Sequence, residues 1–324
     1  MKQVILECPG KFGERDAPMP AVPPGYALIR MERIGVCGSD FHAYAGRHPV
    51  YTYPRVIGHE LAGVVADVGP NSKGIQPGNQ CAIEPYITCG NCRACNLGLR
   101  NCCEHIRLLG IHVDGGMQEY LAVPIELVHT SAKLSLDQLA LVETLGIGAH
   151  AVNRGGVKAG EDVLVIGAGP IGIAVAQFAS AAGAQVHVVE RLEWRRSFME
   201  KLGFSVSEPA LGRLADVVFD ATGNAQVMGE SLHHVATGGR LVFVGLTRDP
   251  VIIDDGTFHR REVTLLASRN SFGLFPTIIR KVESGQIDTT HWISHRLFLS
   301  EVPSQFAELP ARPNLIKALV EVGP

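Results

Sequence analysis

The chain has 324 residues, of which 46% are hydrophobic and 19% charged. That composition buries a large interior and excludes disorder, and the length predicts two domains. A formal charge of −3 with no long Lys/Arg run excludes an electrostatic footprint for nucleic acid or an anionic membrane. No apolar run reaches the roughly 20 residues of a membrane helix. The first residues turn polar at once, without an apolar signal core. A cytoplasmic location is therefore expected, where the eight cysteines serve better as metal ligands than as disulfides.

From about 21 to 120 the sequence reads as short strands broken by Gly and Pro, with 27–31, 61–68 and 80–83 the clearest. Within this stretch Cys37 and Gly58-His59-Glu60 offer one thiolate, one imidazole and one carboxylate. Such a mixed set leaves Zn²⁺ able to take up water or substrate, which marks a catalytic metal. Asp40 is a carboxylate placed to hold the His59 imidazole in its metal-binding tautomer. Farther on, Cys89, Cys92, Cys95 and Cys103 follow a C-x2-C-x2-C-x7-C spacing. Four thiolates fill a tetrahedral shell and exclude substrate, so this second zinc is structural. Cys102, beside Cys103, leaves an ambiguity of register, with Cys103 preferred. A nucleic-acid-binding zinc ribbon would bring more basic residues than Arg93, Arg100 and Arg107.

Near residue 150 the texture changes to strands alternating with helices. Strands are predicted at 163–166, 186–190, 216–220, 240–245 and 263–267, and helices at 170–182, 194–202 and 226–235. Val-rich strands in this alternation predict a parallel sheet covered on both faces. The loop Gly167-Ala168-Gly169-Pro170-Ile171-Gly172 follows the first of these strands and opens a helix, the context required of a dinucleotide fingerprint. Glu190 closes the next strand, where a carboxylate accepts from the adenosine ribose and repels a 2′-phosphate. This favours NAD over NADP, although Arg191 and Arg195 are placed to approach a phosphate. A solvated strand-end carboxylate is the plainer reading of Glu190. The segment 312–320 reads as a closing β segment.

Taken in order, Gly35-Val36-Cys37-Gly38-Ser39-Asp40-Phe41-His42, Gly58-His59-Glu60-Leu61-Ala62-Gly63, the four-cysteine lobe and the Gly loop resemble the zinc-dependent medium-chain dehydrogenases. That family includes alcohol, sorbitol and threonine dehydrogenases, and the resemblance spans essentially the whole chain. It implies an α/β plus β fold. A GroES-like β-rich catalytic domain (1–152 and 272–324) would carry the zinc sites, and a Rossmann doubly wound parallel sheet (153–271) would bind the cofactor, with the active site in the cleft between them. It further implies Glu143 as an alternative or water-mediated zinc ligand, Ser39 and His42 as a proton relay, and Lys317 as a pyrophosphate contact. A dimer or tetramer is expected, joined through sheet edges around 251–267. The stretch between Gly203 and Asp216 is shorter than is usual in the family, the compression falling at 204–211.

Substrate preference rests on Glu143 and Arg269. An arginine can pair bidentately with a carboxylate or meet substrate hydroxyls, unless it is taken by Glu262. The expected reaction moves a hydride to NAD from a secondary hydroxyl of a polyol or sugar acid, as in L-galactonate or L-gulonate 5-dehydrogenases. A threonine 3-dehydrogenase type of enzyme and a catalytically silent NAD(H)-binding zinc protein are the alternatives.

Overall fold

The computed structural model describes residues 1–209 and 212–323. The chain packs as two compact units, one of Met1–Glu143, Phe275–Glu283 and Thr289–Pro324, the other of Thr144–Leu274 and Ser284–Asp288. The division falls inside the helix Val142–Gly155. No helix among the described residues is long and apolar enough to cross a membrane.

The first unit is built on a seven-stranded sheet. Its path runs Ile293–Phe298, Lys317–Glu321, Tyr26–Val36, Glu60–Val68, Gln80–Ile83 and Val128–Thr130, with Tyr120–Pro124 pairing the long strand off that path. Pairing is antiparallel except between Ile293–Phe298 and Lys317–Glu321. Ile29, Met31, Ile34, Leu61 and Ile83 are fully buried at its centre. A hairpin of Lys2–Cys8 and Lys11–Asp16 and a small ribbon of Tyr86–Ile87 with Arg107–Leu108 complete the β structure. The β-rich reading of this region was correct but incomplete. The hairpin, the ribbon, the helix Phe275–Glu283 and the strand Ile293–Phe298 were not foreseen. The closing strand begins only at Lys317, because Asn314 turns the chain through a left-handed conformation (φ 56°).

The second unit holds a six-stranded, wholly parallel sheet in the spatial order Ser205–Ser207, Gln185–Val189, Asp162–Ile166, Ala215–Asp220, Val235–Phe243 and Thr264–Ala267. The chain leaves Asp162–Ile166 first toward one edge and later toward the other, so a topological switch point lies beside this strand, where α/β sheets bind ligands. Val163–Ile166 are all buried, as a central parallel strand requires. The helix Pro170–Ala181 is buried from Gly172 through Ala179. The expected helix 226–235 is shorter, Ala225–Glu230 running into a 3₁₀ turn at Ser231–His234. Of the compressed segment 204–211, Ala210 and Leu211 lie outside the described residues; the strand Ser205–Ser207 opens it.

Candidate active site

Cys37 ends the long strand Tyr26–Val36 and caps the helix Gly38–Tyr44, its backbone N–H donating to Asp40 Oδ2 at 2.9 Å. His59 and Glu60 lie where the chain enters the neighbouring strand Glu60–Val68, and Gly35 faces Glu60 directly across the ladder. A Cβ at Gly35 would meet Glu60 Oε2 at 1.9 Å, so only glycine leaves room for the carboxylate. The thiol of Cys37, a ring nitrogen of His59 and a carboxylate oxygen of Glu60 gather within 4.8 Å of one another, and the latter two side chains are buried. That donor set suits a divalent zinc ion with a position left open.

Asp40, 2% exposed, has Oδ1 3.7 Å from His59 Nδ1. Burial lifts the Asp40 carboxyl above its ordinary value, against the pull of His59. Burial alone would lower His59; Asp40 and Cys37 outweigh it and hold the imidazole well above its usual range. The other ring nitrogen, Nε2, lies 3.4 Å from Ser39 Oγ. Ser39 and His42 stand three residues apart on the helix and so share a face; His42 is exposed.

Glu143, 5% exposed at the start of Val142–Gly155, accepts a short hydrogen bond from the Tyr86 hydroxyl. Burial raises its carboxyl; His59 opposes that and Glu60 adds to it. Lys317, expected from the resemblance to contact a cofactor pyrophosphate, has a protein partner that the sequence did not reveal. It is 3% exposed in the first unit, and its ammonium donates to Glu60 Oε1 at 2.6 Å and Oε2 at 2.8 Å. Burial lowers its basicity, but the charges of Glu60, Cys37 and Glu143 more than restore it. Lys317 thus pairs with Glu60, one of the three clustered candidate metal donors. Sequence reasoning also passed over Tyr86.

Cys89, Cys92, Cys95 and Cys103 bring their sulfurs together within 4.8 Å. The separations of 4.0 Å (Cys89–Cys95), 3.9 Å (Cys92–Cys103) and 3.5 Å (Cys89–Cys103) bracket the roughly 3.8 Å between sulfurs of a tetrahedral site with ~2.3 Å Zn–S bonds. Cys102 is exposed and outside the group, which resolves the register in favour of Cys103. No disulfide forms among the described residues.

In the second unit Gly167 takes φ 98°, and Pro170 opens the following helix. A Cβ at Gly172 would lie 1.8 Å from the Gly167 carbonyl oxygen, so helix and turn close only with glycine there. A Cβ at Gly169 would meet only the tip of Arg195, at 3.9 Å, so the space beside this glycine has room for a pyrophosphate. Ile171 is half-buried on the first turn of that helix. Glu190, 6% exposed, accepts from the Ala168 N–H at 2.9 Å and the Leu192 N–H at 2.9 Å, with Arg195 3.8 Å away. Burial lowers the basicity of Arg195. Arg269 is exposed just beyond the strand Thr264–Ala267.

Known proteins share this arrangement. The alcohol dehydrogenase GroES-like domain matches residues 23–133 and the zinc-binding dehydrogenase domain residues 170–284. L-galactonate-5-dehydrogenase of Escherichia coli K12 is 38% identical over 87% of this chain and 87% of its own. The chain belongs to the zinc-dependent medium-chain dehydrogenases. Two solved structures superpose on this dehydrogenase with a TM-score of 0.93. A zinc-binding dehydrogenase of Sinorhizobium meliloti 1021 bound to NADP is 31% identical and covers 99% of this chain and 98% of its own. The alcohol dehydrogenase RspB of E. coli CFT073, complexed with NADH, is 26% identical and covers 99% of both chains. The GroES-like and Rossmann fold expected from the motifs is thus the fold of this dehydrogenase.

Proposed function

We propose that this dehydrogenase oxidises a secondary hydroxyl of a polyol or sugar acid with NAD, in the manner of an L-galactonate or L-gulonate 5-dehydrogenase. The observation that carries the reading is the gathering of the Cys37 thiol with the buried imidazole of His59 and the buried carboxylate of Glu60, with the second carboxylate of Glu143 close by. The 38% identity to L-galactonate-5-dehydrogenase supports the substrate class. When bound, zinc acidifies the substrate hydroxyl and the nicotinamide accepts the hydride.

The residues of the chain do the rest. Cys37 and His59 hold the metal, with Glu60 as the third donor and its charge balanced by Lys317. Ser39 receives the proton of the substrate hydroxyl and passes it to His42, whose exposure lets it reach water. The Gly loop cradles the pyrophosphate with Gly167, Gly169, Pro170, Ile171 and Gly172. The Glu190 carboxylate repels a 2′-phosphate, which favours NAD although one solved relative carries NADP. Arg195 lies beside the pyrophosphate and Arg269 pairs with a substrate carboxylate or hydroxyl. The subunits associate through the open sheet edge at Thr264–Ala267, where Leu265 is 40% exposed.

The test is reduction of NAD and NADP by zinc-replete protein with simple alcohols, polyols, aldonates and L-threonine. Activity with polyols or aldonates and NAD is expected. Activity confined to L-threonine would transfer the enzyme to the amino-alcohol type, and none with any substrate would make it a silent binder.

A further inference from the structure

We infer that Tyr86 is a positioning residue that holds Glu143 just outside the coordination shell of the catalytic metal and so keeps one metal position open for substrate; this rests on the metal-site reading above. Three observations carry it. Cys37, His59 and Glu60 form a donor group within 4.8 Å of one another, and Glu143 is not part of it. Yet Glu143 is 5% exposed and close enough to feel His59, Glu60 and Lys317 electrostatically. A second carboxylate so near a dication is drawn into its shell unless something holds it.

The holding group is the Tyr86 hydroxyl, which donates to Glu143 Oε1 and commits one of its two oxygens. Tyr86 is 1% exposed and among the largest fully buried side chains, so its ring cannot follow a moving carboxylate. Its backbone is fixed as well. Tyr86 pairs with Leu108 in the ribbon at the base of the four-cysteine lobe, with Cys89 three residues beyond it and Cys103 on the returning arm. The lobe thus anchors a tether to the catalytic centre. Glu60, the other carboxylate, is restrained independently by Lys317.

The test compares wild type, Tyr86→Phe, Glu143→Gln and the double variant, each loaded with Co²⁺ at the catalytic site. It reads the visible ligand-field spectrum and the KM and kcat for the best polyol or aldonate. In Tyr86→Phe the freed carboxylate binds the metal, the cobalt spectrum changes, and KM rises by about tenfold with a smaller change in kcat. In the Glu143→Gln background Tyr86→Phe changes neither. Glu143→Gln keeps the side-chain shape, so it also serves as the check if Tyr86→Phe is poorly folded: its own cobalt spectrum should match that of wild type. A Tyr86→Phe protein with the wild-type spectrum and KM, or a Glu143→Gln protein whose spectrum differs from wild type, overturns the proposal while leaving the metal site intact. A cobalt spectrum insensitive to Cys37→Ser removes the metal-site reading itself, and the tether with it.

Discussion

Lys317 and Glu60 form a closed pair at the heart of the first unit: one ammonium donates to both oxygens of one carboxylate at 2.6 and 2.8 Å, with side-chain exposures of 3% and 1%. Buried pairs of this kind add little net stability against an apolar replacement, but breaking one strands a charge. Lys317→Ala should therefore lower the unfolding free energy by about 3 kcal/mol or more, measured by urea denaturation. The double variant Glu60→Gln, Lys317→Met should recover much of that loss, and a double variant no more stable than Lys317→Ala would contradict the pairing.

The close approach of Gly172 to the Gly167 carbonyl predicts the behaviour of the nucleotide loop. Gly172→Ala should weaken NADH binding at least about tenfold, since the added carbon must push the helix away from the turn. Fluorescence titration with NADH reads this directly. Metal content should be unchanged, because the candidate metal ligands all lie in the other unit.

In the four-cysteine lobe, Cys92→Ser should cost one equivalent of zinc and lower the melting temperature, whereas Cys102→Ser should do neither. Metal analysis of the purified variants separates the two. A loss of zinc on changing Cys102 would mean that the register is wrong.

Asp137 joins Arg33 and Arg296, and Arg296 also reaches Glu321. Burial raises the Asp137 carboxyl, but the Arg296 and Arg33 guanidinium groups outweigh it and hold it below the ordinary carboxylate value. A carboxylate whose pKa is lower folded than unfolded stabilises above its unfolded pKa and loses that contribution as pH falls through the folded one. Wild type should exceed Asp137→Asn by about 1 kcal/mol near neutrality, with the gap closing below about pH 4. Urea unfolding across that range tests the sign.

The open edge strand gives a prediction about assembly. Leu265→Asp should shift the sedimentation coefficient toward that of a monomer if subunits join along Thr264–Ala267. An unchanged sedimentation profile would place the interface elsewhere.

What could be read from the sequence was what the chain keeps local. The cysteine spacing, the Gly58-His59-Glu60 turn and the loop Gly167 to Gly172 each put their chemistry within a few residues, and the structure assembles each of them. Strand-helix alternation likewise exposed the parallel sheet. The misses are long-range. Glu60 meets Lys317 across 257 positions and Glu143 meets Tyr86 across 57, and neither spacing leaves a periodic trace. The Glu60 partner of Lys317 went unseen because a lone lysine on a strand carries no mark of the carboxylate it neutralises. The strand Val235–Phe243 starts earlier than expected, because Gly238 (φ 73°) reads as a loop; the ladder shifts register there, with Ala215 opposite Val235 and Val217 opposite Arg240.

The four-cysteine lobe has almost no core of its own. From Cys89 to Arg107 only Cys92, Asn101 and Cys103 are buried, while Leu97 and Leu99 stand 60% and 52% exposed. Its shape is therefore owed to the ion it encloses, and it should be the first part of the molecule to loosen when zinc is scarce. A protease would find it there before the sheets gave way, and the lifetime of the protein in a cell would then track the supply of metal as much as the stability of its fold.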